Sequence, residues 1–206
     1  MEEKQKRLHV ARTRYISLVS VFTAMAVAMA YTHGVVSAYL PNVEFMSIIV
    51  FVSGFCFGWH VGAVVGVLSN IIWNLFPYPW VSPAATITYI SPMLLAVTAA
   101  LTGLYGLVGG LRGKGSVPPK ISLRRFSLEA GLWGFILTFI YDILGSVGFY
   151  LAYPGLYPDV WMAIYFTFIP IPGWMPYPPI VHTFANTVIF AVVAPPLIMA
   201  ARRLQK

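Results

Sequence analysis

All thirteen Lys and Arg residues of this chain fall in three short clusters, Lys4 to Arg14, Arg112 to Arg125 and Arg202 to Lys206. None lies between Tyr15 and Leu111, or between Phe126 and Ala201. Short loops rich in Lys and Arg stay on the cytoplasmic side of a bilayer. The pattern therefore places both termini and one central loop inside, before any helix has been drawn. Each of the two barren stretches must then cross the membrane an even number of times.

Composition agrees with that assignment. Hydrophobic residues make up 59% of the chain and charged residues 9%, against about 25% charged in a soluble domain. Lipid has to solvate the excess apolar surface. The net charge of +7 sits in flanks and one loop, where it anchors the chain against anionic headgroups rather than forming a nucleic-acid footprint. The single cysteine, Cys56, lies in an apolar run and excludes a disulfide framework within the chain. It reads as a small buried hydrophobe. The segment Ile16–Ala30 behind the first basic cluster has the outline of a signal peptide, with Ala28-Met29-Ala30 as a small-residue cleavage site. The apolar run is long enough to be retained as a span instead.

A helical span needs about 20 residues, fewer in a thinner bilayer. The first barren stretch holds four: Tyr15–Ala38, Val43–Phe57, Val61–Phe76 and Ala85–Leu107. Gly58-Trp59-His60 makes the tight turn between the second and third, and Pro77 to Pro83 breaks the chain before the fourth. Residues 109–125 read as a cytoplasmic linker rich in Gly, Pro and basic residues. The fifth and sixth spans are Leu128–Leu151 and Pro179–Ala200, separated by a long, proline-rich outer loop, 153–178, with room for a short interfacial or re-entrant helix near Val160–Ile169. The expected fold is one integral membrane domain over 1–206: an all-α bundle of six transmembrane helices in the cell membrane, with N and C termini cytoplasmic. Fusing Glu44–Phe76 into one tilted span would break the parity and put the central basic loop outside.

Polar groups inside a membrane are costly and mark function by default. Asn70 and Asn74 share a face at the outer end of the third span, with Trp73 alongside. His182 and Asn186 repeat that spacing in the first turns of the sixth. Glu44 opens the second span, and Asp142, after Tyr141, lies in the outer half of the fifth, where a carboxylate costs about 2.5–3.5 kcal/mol to insert. At about 1.5 Å per residue these groups converge on one leaflet as a cup open to the outside. The bland alternatives are interhelical glue for the asparagines, a packing histidine at 182 and a helix cap at Glu44. Trp80 and Trp161 are candidate cup walls or parts of an aromatic interface belt. His33 and His60 carry no specific expectation.

No HExxH, GxSxG or Walker A sequence occurs, so energy has to come from a gradient or a partner. The histidines are scattered, and neither a metal site nor a resident cofactor is expected. In the first span Ala24 and Ala28, and Ala26 and Ala30, form two overlapping small-xxx-small patterns that let another helix approach closely, with methionines beside them as adaptable surface.

The alanine strip, the six expected spans and the run Pro41-Asn42-Val43-Glu44 through Gly54, Gly58, Gly62 and Gly66 to Asn70 resemble the substrate-binding S components of energy-coupling factor (ECF) transporters. The resemblance implies capture of a vitamin-like micronutrient at the outer face. It also implies docking through Ala24 and Ala28, or Ala26 and Ala30, onto a transmembrane T component that carries two ATPase subunits. Segments 39–42, 76–83 and 153–178 would close over the substrate. The start Met1-Glu2-Glu3 lacks the Met-His segment of the metal-specific relatives. The outer half holds Glu44, Asp142 and Asp159 but no Lys or Arg, which disfavours an anionic ligand. Aromatic rings favour a neutral or cationic heterocycle, thiamine-like, riboflavin-like or a deazapurine. Asp142 then meets a positive or N–H group, the asparagines and His182 read polar edges, and Trp73 stacks. The alternatives are a stand-alone secondary transporter, which calls for repeat halves and broken helices, and an intramembrane enzyme using Asp142 and His182 as an acid/base pair.

Overall fold

The computed structural model describes residues 2–36, 44–76, 91–113, 122–170 and 178–203. Among them every regular element is helical: α1 (Glu2–Val36), α2 (Met46–Phe57), α3 (Trp59–Leu75), α4 (Pro92–Gly113), α5 (Leu123–Ala152), α6 (Val160–Tyr165) and α7 (Ile180–Arg203). Four helices are long and apolar enough to cross a membrane: α1 over Val10–Thr32, α4, α5 and α7. They suggest a membrane-embedded protein. The apolar helices α2 and α3 have 12 and 17 residues, roughly 18 and 25 Å, short of a hydrocarbon core of about 30 Å.

The helices form a ring in which α1 packs on α3, α3 on α4, α4 on α5, α5 on α7, α7 on α2 and α2 back on α1. The short helix α2 also packs on α3 and α4, so it fills the centre. A helix that is apolar all round belongs inside, and Met46 to Phe55 are buried without interruption. Phe51, Phe190, Tyr105, Val50 and Ile198 make the middle of the core. Its lower margin is basic. Arg202 lies over the Phe55 ring at 5.0 Å, Arg14 shares a groove with Phe57 and Ala201, and Arg112 pairs with Glu129 between α4 and α5.

Glycine is what brings α2, α3 and α4 together. A methyl group on Gly106 would overlap the Gly62 carbonyl, and one on Gly54 would overlap the Gly106 carbonyl. This corrects the expected linker at 109–125. Gly109, Gly110 and Gly113 belong to α4, where each lets the helix press against the backbone of Phe51, Trp59 or Phe55. Their composition reads as loop, but the missing side chains serve close helix approach. The helix α5 then starts at Leu123, capped by the Ser122 side chain, which accepts from Arg125 N.

Other bounds shift as well. The first helix begins at Glu2 rather than Tyr15, because Lys, Arg, Gln and Glu are good helix formers that carry it past the apolar run. The second starts at Met46, the third runs over Trp59–Leu75, and the last spans Ile180–Arg203. The expected fourth span from Ala85 begins outside the described residues, and its helix continues beyond Leu107 to Gly113. The helix expected near Val160–Ile169 is the shorter α6, capped by the Asp159 carboxylate on Met162 N.

The turn between α2 and α3 shrinks to Gly58, at φ 102° and ψ 157°, a region that is essentially glycine-only. Open space surrounds a methyl group there, so the cost of a side chain is purely conformational. Gly58→Ala should lower stability by about 1–3 kcal/mol, measured as a drop in the thermal-unfolding midpoint of the purified protein.

Candidate functional site

Glu44 and Asp142 meet at the end of the bundle opposite the arginines, whereas Glu129 pairs with Arg112 at the basic end. Asp142 lies ten residues before the end of α5, about 15 Å along its axis. His182 stands in the first turn of α7 and Glu44 just ahead of α2. His182 Nδ1 is 2.9 Å from Asp142 Oδ1, and its Nε2 is 3.1 Å from Glu44 Oε2. The Thr183 hydroxyl donates to Asp142 Oδ2 at 2.7 Å. One imidazole thus bridges two carboxylates that lie 98 residues apart in the chain. The side chains of Asp142, His182 and Glu44 are 4%, 13% and 21% exposed, so the pairing is largely shielded from water. The capping role open to Glu44 is not the one it plays, because α2 has no side-chain cap and the carboxylate is spent on His182.

A polar ladder continues inward. Asn186 Nδ2 lies 3.0 Å from His182 Nε2 and donates to Thr138 Oγ1 at 3.1 Å, and the Tyr105 hydroxyl also donates to Thr138 Oγ1 at 2.9 Å. Asn186 is fully buried, and its Oδ1 has no partner. The ladder ends on Phe190 and Phe51, so the polar end is sealed from the basic end by aromatic packing.

Beside Asp142 opens a cavity of about 340 Å³ between α4, α5 and α6. Tyr141, Asp142 and Ser146 line it from α5, Leu94 and Thr98 from α4, and Ala163 and Phe166 from α6 and the turn after it. Phe149 and Tyr157 add two more rings to the lining. Burial pushes the Tyr157 phenol above its ordinary value, which keeps it a neutral hydrogen-bonding group. The Ser146 and Thr167 hydroxyls meet at 2.8 Å, tying the turn after α6 to α5.

The expected site residues divide into three groups. Glu44, Asp142, His182 and Asn186 form one network, and Tyr141 and Asp142 face the cavity. Asn70 and Asn74 lie one layer back. Asn70 Nδ2 donates to Thr102 Oγ1, while its Oδ1 accepts from Thr98 and from Asn74 Nδ2. Their carboxamides join α3 to α4 and reach the cavity through Thr98, because the face they share with each other is the one packed on α4. Trp73 is turned away as well. Its ring sits edge-on to Tyr31 of α1 at 5.3 Å and does not line the cavity. Trp161 is 74% exposed on the outward face of α6, while Ala163 faces in. Trp80, and the expected closing segments 39–42 and 77–83, lie outside the described residues. The enclosing residues that sequence reasoning missed, Ser146 and Phe149, stand four and seven positions after Asp142 on one helical face. That spacing was the available signal.

The two alanine registers also separate. Ala26 and Ala30 are 0% and 2% exposed and pack into the bundle, whereas Ala24 and Ala28 are exposed. They line an open groove with Tyr31 of α1 and with Leu68 and Ile72 of α3. No protein-family model, no curated protein and no solved structure matches the chain.

Proposed function

We propose that this chain is the substrate-capturing S component of an ECF-type transporter. In that role it crosses the cell membrane six times, with both termini in the cytoplasm. It takes a small vitamin-like heterocycle, neutral or cationic, from outside and passes it inward with a T component and two ATPase subunits. The observation that carries the proposal is the meeting of Glu44, Asp142 and His182 beside a cavity of about 340 Å³, at the end remote from every described arginine. Pockets for small ligands start near that size. Hydroxyl and aromatic lining with one carboxylate suits a flat ring that carries an N–H or positive group. The short α2 and α3 fit the proposal as two thin crossings joined at Gly58. The exposed Ala24–Ala28 strip supports docking in that register, with Ala26 and Ala30 committed to the bundle.

Affinity isolation from the native membrane tests it. The chain should bring down a T component and two ATPases. Ala28→Leu should remove them while leaving the bundle folded, because its side chain meets open groove. Ala26→Leu should instead destabilise the bundle itself, because Ala26 is fully buried. Isolation of the chain alone, with gradient-driven uptake in liposomes, would overturn the proposal in favour of a stand-alone transporter.

A further inference from the structure

Resting on the capture reading above, we infer that the cavity selects an organic cation of charge one over neutral and anionic rings of the same shape. The argument is a count of charges. His182 presents one ring nitrogen to each carboxylate. With an N–H on both nitrogens, or with the second proton placed on Glu44, the sum over Glu44, His182 and Asp142 is the same: one negative charge. No Lys or Arg between Tyr15 and Leu111, or between Phe126 and Ala201, can cancel it. The other ionisable groups facing the unit are the phenols of Tyr105 on α4 and Tyr141 on α5, with Tyr157 across the cavity. Each is neutral when protonated. Asp159 is exposed at the start of α6, with its carboxylate turned to Met162 N.

A charge left in an apolar site without a counter-charge is unfavourable, and a bound monocation removes that imbalance while a dication would create a new one. The residual charge also faces the right way. Asp142 is the one charged residue on the cavity wall among the described residues. Each of its oxygens already accepts one hydrogen bond, from His182 or Thr183, and each retains a second lone pair. Glu44 and His182 stand behind it and do not line the cavity. The rings of Tyr141, Phe149 and Phe166 around Asp142 add attraction for a delocalised cation.

The test uses the full chain in lipid nanodiscs and three probes that share one ring: 1-methylnicotinamide (fixed positive charge), nicotinamide (neutral) and nicotinate (negative). Binding is followed by calorimetry and tryptophan fluorescence. The expected order is cation over neutral by about tenfold or more, since Coulomb attraction to the residual charge and cation–π contact with the lining rings act on the cation alone, with no anion binding. Asp142→Asn should abolish the preference. That substitution makes the unit neutral under either placement of the second proton. Equal binding of cation and neutral, or a cation preference that survives in Asp142→Asn, overturns this inference and leaves the capture reading standing. No binding of any of the three rings removes both.

Discussion

His182→Leu should be the most damaging single substitution at the polar end, lowering stability by about 3–5 kcal/mol. The substitution takes away the group that lies between Asp142 Oδ1 and Glu44 Oε2. Two carboxylates then face one another in a shielded site with no cation to separate them. It also removes the polar neighbour of Asn186, whose Oδ1 is already without a partner. The comparison that isolates the charge effect is the triple variant Glu44→Leu, Asp142→Leu, His182→Leu. An apolar replacement of a whole buried ion cluster is often neutral or stabilising, whereas breaking it in half is costly. The triple variant should therefore unfold at a higher temperature than His182→Leu alone. If the single and triple variants melt together, the loss comes from packing around the ring and not from stranded charge.

Gly106→Ala should be comparably severe for a different reason. Its added methyl would overlap the backbone of Gly62, and a helix backbone cannot rotate aside as a side chain can. The axes of α3 and α4 have to move apart, which also stretches the Asn70–Thr102 hydrogen bond of 3.0 Å. The expected loss is about 3 kcal/mol or more, at the upper end of overpacking effects. The control is Gly145→Ala on α5, where a methyl meets open space. Relief of helical glycine should make that change neutral or stabilising by about 0.5–1 kcal/mol. Thermal unfolding of the two variants side by side measures the contrast, and equal midpoints would show that α3 and α4 do not depend on bare backbone contact.

Much of the helical layout was legible because hydropathy and charge are local properties. The apolar runs after Arg14, around Ala99, after Leu128 and after Pro179 each became a long helix. The glycine-rich end of α4 was misjudged because glycine signals both a loop and a close helix contact. Only the presence of Phe51, Phe55 and Trp59 against Gly109, Gly113 and Gly110 separates the two. At the polar end, Asp142 and His182 stood out by the cost of burying them. The bridge from Asp142 through one imidazole to Glu44 depended on where the starts of α2 and α7 met the outer half of α5. Trp73 shows the limit of spacing arguments. Its place next to Asn74 in sequence suggested a shared wall, but adjacent residues on a helix point about 100° apart, and the ring ended on Tyr31.

The residues in order determined which segments are helical, that apolar surface is too abundant for water alone to solvate, and that no cation is available near Glu44, Asp142 and His182. Those follow from composition along short windows, where backbone hydrogen bonding and transfer to an apolar medium act on each segment by itself. Tertiary structure decided the partners: imidazole between carboxylates, Ala26 inward and Ala28 outward, Asn70 on threonines, and a cavity beside Asp142. These contacts join residues up to 138 apart. The glycine faces of α2, α3 and α4 lock together, and α1, α5 and α7 pack around them.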